Sequence, residues 1–505
     1  MTLVTRPFKR VLIANRGEIA LRIIRTLREL GLESVAVYSD ADQESLHRYQ
    51  ADYSVRLPGI PSSETYLNIP ALIRAVQASG ADAVHPGYGF LSENASFAKA
   101  VIEAGAVFIG PPPEATEIMG NKIHARNLME AHGVPVVPGA KEPLKNADDL
   151  RLLAQRIGYP LILKAAGGGG GRGMRVVRRD QDLEDAFEAC TREAIAYFGS
   201  RDVFAERYIE RPRHVEFQVL FDSQGHGVYL FERDCTIQRR HQKLLEEAPS
   251  AYLSDEQRRH VGEKAIAAAK AAGYVGAGTI EFICESPERV YFMEMNTRIQ
   301  VEHPVTEMIT GLDLIGEQIR IARGEPLGYE QKDIRISGWA MEARINAEDP
   351  SKDFAPGPGL VQRLTVPGGP FVRVDTHLYP GYRIPDAYDS MVAKVIVWGR
   401  DRREAARRLA RALADLRIEG VPTTARFHEA LLRHPAFQSG EYTTRFIEEQ
   451  AEYWRTELDH YQEDQGPLLA ALSVIVAQEA SQTEVPTPSK ALSQWQRAAL
   501  LEGMP

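Results

Sequence analysis

The first hundred residues alternate short apolar runs with amphipathic stretches, and no other feature restricts the chain so strongly. Arg10–Ala14 reads as a buried strand. Glu18–Leu30 places Ile19, Ile23, Ile24, Leu27 and Leu30 on one helical face, and Gly31 stops that helix. Ser34–Tyr38 is a second strand, Pro70–Ala78 a helix, Ala83–His85 a strand end, Ala95–Ala104 a helix and Val107–Ile109 a strand. Repeated βα units predict a parallel, doubly wound sheet whose loops carry function at the strand ends.

From about Asn121 to Arg323 the texture changes. A glycine run, Gly167–Gly171, interrupts strand patterns such as Leu161–Ala165 and His214–Leu220, and Thr279–Cys284 with Val290–Met295 reads as a hairpin. Ile334–Asn346 opens a third region with strands at Val361–Val366, Val372–Asp375 and Met391–Trp398 and a helix at Arg402–Leu416, which predicts a small, mostly antiparallel α+β unit. The 505 residues suffice for three or four domains. A net charge of −9 argues against nucleic-acid binding as the main activity. Three scattered cysteines make no disulfide framework or zinc site, no apolar run approaches a membrane span, and Met1–Arg10 has no secretory h-region. The class left is a cytoplasmic enzyme of several domains.

Four segments carry chemistry. In Lys164–Gly173 a strand ending in lysine runs into five glycines, whose backbone N–H groups suit phosphate oxygens, although no P-loop Gly-Lys-Ser/Thr follows and a flexible surface loop fits equally. Glu281 and Glu294 lie on adjacent predicted strands with apolar neighbours, and two such carboxylates need a cation between them unless both face solvent. With the amide oxygen of Asn296 they suit Mg²⁺ on nucleotide phosphates. The run Asn296–Pro304 sets an arginine, an amide and a carboxylate close together, able to grip and deprotonate a small planar anion. Arg233–Lys243 is basic, either a local anion site or a solvated face paired with Glu246 and Glu247, and its Cys235 reads as a packed apolar group.

Seven segments in order, from about Lys9 to about Glu449, resemble the biotin carboxylase family. They are Ala14–Ala20, His85–Asn94, the glycine run, Glu232–Cys235 with Gln238–Lys243, Glu294–Pro304, Arg344–Pro350 and Tyr388–Met391. The resemblance implies an α/β and α+β architecture. Residues 1–120 would be an N-terminal doubly wound domain, 121–333 an ATP-grasp domain with a mobile lid at about 137–209, 334–450 a small antiparallel α+β domain, and 451–505 an acidic, helical or partly disordered tail. It also implies residue roles. Lys122 and Lys164 would contact ATP phosphates under a lid containing Gly170 and Gly171. Glu206, Arg207, Tyr208 and Ile209 resemble the hinge that receives adenine, and His214, Gln238 and His241 further nucleotide contacts. Glu281, Glu294 and Asn296 resemble ligands for Mg²⁺ or Mn²⁺. Lys243, Arg298, Gln300 and Val301 resemble a bicarbonate site, Glu302 the general base, and Arg344 the group that stabilises the biotin enolate.

No Ala-Met-Lys-Met signature occurs, so biotin is expected on a separate biotin carboxyl carrier protein, with a separate carboxyltransferase choosing the final acceptor. The family also implies a homodimer. A different ATP-grasp ligase, such as one making carbamoyl phosphate, and an inactive scaffold are the competing readings; the Arg298–Glu302 run and the Arg344 motif argue against the first, and the intact catalytic positions against the second. Residues 451–505 hold eight acids and three bases, over half of the net charge. They are expected either to dock a partner protein through Leu468–Glu479 or Ala491–Leu501, or to fold back or fray.

Overall fold

The computed structural model describes residues 5–165 and 174–459. The glycine run with Gly170 and Gly171, and both candidate tail helices, therefore lie outside the described residues. The chain divides into two units, Met1–Ala451 and Glu452–Pro505, and the sheets of the described residues lie in the first.

The opening alternation folds as a five-stranded parallel sheet. Its strands are β1 (Arg10–Ile13), β2 (Glu33–Ser39), β3 (Tyr53–Leu57), β4 (Ala83–His85) and β5 (Val107–Phe108), in the order β3-β2-β1-β4-β5. The helix Gly17–Glu29 buries Ile19, Ile23, Ile24 and Leu27 completely or nearly so, which stabilises by roughly 1.5–3 kcal/mol per side chain. The strand order reverses between β1 and β4, and there the loops at their carboxyl ends meet. Asn15 Nδ2 donates to the carbonyls of Pro86 (2.8 Å) and Tyr88 (2.7 Å). Gly87, at φ +62°, leaves room for this contact, since a Cβ there would stand 2.9 Å from Asn15 Nδ2.

The centre holds a three-stranded sheet, β6 (Leu161–Ala165), β7 (Met174–Val177) and β8 (Val203–Arg207), in the order β7-β6-β8. Beside it runs an antiparallel series, β9 (Arg213–Phe221), β10 (Gly227–Arg239), β11 (Gln242–Ala248), β12 (Gly276–Ser286), β13 (Arg289–Asn296) and β14 (Trp339–Asn346). Short pairs follow, β15 (Glu348–Asp349) with β16 (Ala355–Pro356) and β17 (Arg363–Thr365) with β20 (Arg417–Glu419), around β18 (Val372–Thr376) and β19 (Met391–Gly399). The third region is antiparallel, as its pattern predicts, but its sheet is not self-contained. β11 pairs with β14, so one eight-stranded sheet runs β13-β12-β9-β10-β11-β14-β19-β18. The sequence hides this because β11 begins inside a charged segment whose Lys243, Glu246 and Glu247 lack the alternation of an ordinary strand. No helix among the described residues is long and apolar enough to cross a membrane.

Arg233 ties these layers together. It is fully buried on β10, just past a bulge where Phe231 adopts φ +62°. Its guanidinium donates to Glu216 Oε1 (2.7 Å) and Gln218 Oε1 (2.8 Å) on β9, Thr279 Oγ1 (3.1 Å) on β12, Thr306 Oγ1 (3.0 Å) on the helix His303–Thr310, and Gln300. Removing one partner of a buried ion pair strands the other, so Arg233→Ala is expected to cost roughly 3–5 kcal/mol in urea unfolding. Arg233→Lys should recover little, because an ammonium cannot span the fork; near-wild-type stability of either variant would contradict this account.

Candidate active site

A cavity of about 990 Å³ opens where the β1 and β4 loops face the central sheet. It is lined by every described residue to which the family resemblance gives a role: Lys122, Lys164, Glu206, Arg207, Tyr208, Ile209, His214, Gln238, His241, Lys243, Glu281, Glu294, Asn296, Arg298, Gln300, Val301, Glu302 and Arg344. Local structure explains how they arrive there. Arg240 and His241 both have positive φ and form the tight turn between β10 and β11, which brings Gln238 and Lys243 into register. Asn121 caps the helix Lys122–Ala131 by accepting from the N–H groups of Ile123 and His124, and so presents Lys122 at its first turn. Glu302 immediately precedes the helix His303–Thr310, whose first turn holds Pro304.

The innermost group is Lys243. Its ammonium lies 2.6 Å from Glu216 Oε2, 3.0 Å from Glu281 Oε1 and 2.6 Å from Glu302 Oε1. Glu302 Oε2 accepts from Arg344 Nη2 at 2.8 Å, and Arg344 Nε donates to Glu246 Oε1 at 2.5 Å. Burial alone would raise the Glu302 carboxyl, but Lys243 and Arg344 outweigh it and hold the group below the usual range. Burial is likewise overcome at Glu281, which Lys243 and His214 hold well below that range. Glu246 behaves oppositely. Burial pushes it up to about 7 despite Arg344, and burial pushes Glu342 well up. Arg298 donates to Glu93 Oε2 (3.1 Å) and Asn296 Oδ1 (2.9 Å), and Gln300 Nε2 to Glu281 Oε1 (2.9 Å).

Glu281 and Glu294 stand directly opposite one another in the β12–β13 register, and Asn296 Nδ2 bonds Glu281 at 2.7 Å. Two carboxylates and an amide are hard oxygen donors, and the set fits a divalent cation such as Mg²⁺. Lys122 Nζ lies 3.3 Å from Glu294, and Lys164 pairs with Glu206.

The basic segment Arg233–Lys243 is neither one anion site nor one solvated face. Arg233 is sealed inside, Arg239 and Arg240 pair with Asp353, and Gln238 with residues 240–243 line the cavity. Cys235 is buried, with its thiol pushed well up by burial, as a packed group. Sequence reasoning missed Glu216, although the polar alternation His214, Glu216, Gln218 within a buried strand signals an inward polar face. It also assigned no chemistry to Asn15, Arg16, Tyr88 or Tyr388, which line the cavity from elsewhere in the chain.

The chain is similar to known proteins from residue 7 to residue 449. Residues 121–330 match the model of the carbamoyl-phosphate synthase L chain, ATP binding domain, which gives the centre of the molecule an ATP-binding class of fold. On either side, residues 7–116 match the biotin carboxylase N-terminal domain and 342–449 the biotin carboxylase C-terminal domain. Biotin carboxylase 1 of Bacillus subtilis is 53% identical over 441 residues, 87% of this chain and 98% of that protein. Biotin carboxylase of Haemophilus influenzae is 52% identical over 443 residues, again 87% of this chain and 98% of that protein. The biotin carboxylase domain dimer of Hydrogenobacter thermophilus 2-oxoglutarate carboxylase, solved with MgADP, ADP and bicarbonate, superposes with a TM-score of 0.85 at 47% identity, covering 88% of this chain and 98% of that one. The chain belongs to the biotin carboxylase family.

The ion pairs set an acid limit. Although burial opposes it, Lys243 and Arg233 hold Glu216 down to about 2, against 4.5 in the free chain. Its contribution to stability is full above pH 4.5 and is lost as pH falls toward 2. Lys243→Met removes one of the cations responsible and lets the Glu216 carboxyl rise toward its free range, so stability measured by urea unfolding should fall less steeply between pH 4.5 and 2 in the variant than in the wild type. An equal or steeper fall would contradict the assignment.

Proposed function

We propose that this chain carboxylates biotin held on a separate carrier protein, using ATP and bicarbonate, as the first half-reaction of a biotin-dependent carboxylase. The observation that carries this reading is the convergence of Lys243 and Arg344 on Glu302, in the same cavity as Arg298 and the opposed pair Glu281 and Glu294. A base held ionised between two cations is suited to taking a proton from a small anion that those cations also attract.

In this mechanism bicarbonate lies against Lys243, Arg298, Gln300 and Val301. Glu302 removes its proton, and the resulting oxyanion attacks the γ-phosphate of ATP, releasing ADP and forming carboxyphosphate. Lys122 and Lys164 offset charge on the phosphoryl oxygens. Glu281, Glu294 and Asn296 would hold a divalent cation, Mg²⁺ or Mn²⁺, which when bound neutralises phosphate charge. Carboxyphosphate decays to CO₂ and phosphate, and phosphate takes the proton from the biotin ureido nitrogen. Arg344 stabilises the enolate that captures CO₂. Adenine would lie along Glu206–Ile209 with His214, Gln238 and His241, beneath a lid at about 137–209 that keeps water from the intermediate.

The domain limits proposed with this mechanism are 1–120, 121–333 and 334–450, with 451–505 as an appended tail, and the three matched segments support them. The proposed partners, in the cytoplasm, are a biotin carboxyl carrier protein, a second copy of this chain and a carboxyltransferase subunit. A dimeric relative supports the second copy.

Bicarbonate-dependent ATP hydrolysis stimulated by free biotin is the test. Glu302→Gln should lower kcat by roughly 10²–10⁴-fold, Arg344→Ala should abolish the biotin stimulation, and chelation of divalent cations should stop turnover until Mg²⁺ is restored. No biotin stimulation, with Arg344→Ala matching wild type, would sink the reading; ammonia-dependent turnover without biotin would replace it with a carbamoyl phosphate activity.

A further inference from the structure

We propose that Glu246 and Glu342 share one proton behind Arg344, and that this pair is a positioning device which limits the negative charge facing that arginine. The proposal rests on the carboxylase reading for its consequence and on geometry for its substance. Glu246 on β11 and Glu342 on β14 are directly opposite in the antiparallel register, and both are fully buried. Glu246 Oε1 receives Arg344 Nε. Glu246 Oε2 and both oxygens of Glu342 have no hydrogen-bond partner among the described residues. Like charges directly opposite across two strands repel, and buried acceptor oxygens without donors are costly. One proton on Glu342 removes the repulsion and leaves one of the three oxygens without a partner, because its O–H is then available to Glu246 Oε2 while Oε1 stays with the arginine.

Of the groups facing Glu342, Lys394 attracts it most strongly, but burial outweighs that attraction and no donor reaches its oxygens among the described residues. On its own strand Arg344 is committed to Glu246 and Glu302. On β19, Lys394 donates to the Val301 carbonyl at 2.8 Å and lies 3.4 Å from Glu18 and 3.9 Å from Asp375. At the helix His303–Thr310, His303 uses Nδ1 on the Gln300 carbonyl and is kept neutral by burial, while Glu307 pairs with Arg22 and Arg373. From the first helix Glu18 is bonded by Tyr88. The helix Arg402–Asp415 places its Arg402 on Glu247, which points to the other face of the sheet. Burial raises both Glu246 and Glu342, in keeping with a retained proton.

The consequence is electrostatic. With one proton in the pair, Arg344 faces one negative charge behind it and Glu302 in front. When the proton leaves at high pH, a second negative charge appears behind the guanidinium and weakens its hold on a developing enolate oxygen. Glu342→Gln keeps a neutral donor that cannot ionise. In the full chain, with each profile normalised to its own maximum, the alkaline fall of biotin-dependent kcat should move up by about one pH unit or more in Glu342→Gln, with KM for ATP unchanged. Independently of turnover, infrared difference spectra of the wild-type chain should show a protonated-carboxyl C=O band that titrates in the alkaline range. That band should be absent from Glu342→Gln, and it should no longer titrate with the same midpoint in Glu246→Gln. An alkaline limb identical in Glu342→Gln and wild type, or the lack of any such band near neutral pH, would overturn the proposal. Because the infrared titration needs no substrate, a failure of the carboxylase reading would be told apart from a failure of the proton-sharing pair.

Discussion

Arg233 is the constraint around which the centre of this molecule is arranged. A guanidinium with no solvent must find an acceptor for every N–H, and here the acceptors come from β9, β12, the Gln300 turn and the helix behind Glu302. The same side chains then face the cavity with their remaining atoms. Glu216 gives one oxygen to Arg233 and the other to Lys243, and Gln300 gives its oxygen to Arg233 and its nitrogen to Glu281. One buried cation thereby orients the groups that orient the reactive ones, at a fixed spacing that mobile surface charges could not maintain.

Outward from that point the cavity alternates charge. Lys243 sits among three carboxylates and Arg344 between two. The arrangement keeps Glu302 ionised although it is buried, which is the state that its proposed role as a base needs. One side of the cavity is contributed by the parallel N-terminal sheet, where the loops after β1 and β4 meet at the reversal of strand order. The central sheet thus supplies the chemistry and the N-terminal sheet a wall of the room in which it occurs.

Much of this is legible in the sequence. The βα alternation of the first hundred residues becomes five parallel strands, and every described residue to which the family resemblance gives a role lines one cavity. Glu281 and Glu294 read as a cross-strand pair from hydrophobic alternation alone, and they are in register. What escaped notice shares a cause. Glu216, Arg233, Glu246 and Glu342 look like ordinary charges in a line of text, because burial is produced by partners far away along the chain. β11 escaped as a strand because its inward side chains are charged, and hydrophobic periodicity cannot see a strand whose buried face is an ion-pair network.

The sequence by itself determined the parallel N-terminal sheet, the hairpin carrying the acidic pair and the family to which the motifs belong, since each rests on local periodicity or on a contiguous run of residues. Only the tertiary structure decided that β11 joins β14, making one sheet of two regions, and that Glu246 meets Glu342 behind Arg344. It also divided the basic segment between a sealed core, the cavity and an outward face. The physical reason is common to all three. The state of a charge depends on what surrounds it in space, and in a sheet that neighbourhood is set by strand order and register, neither of which is written into any one stretch of chain.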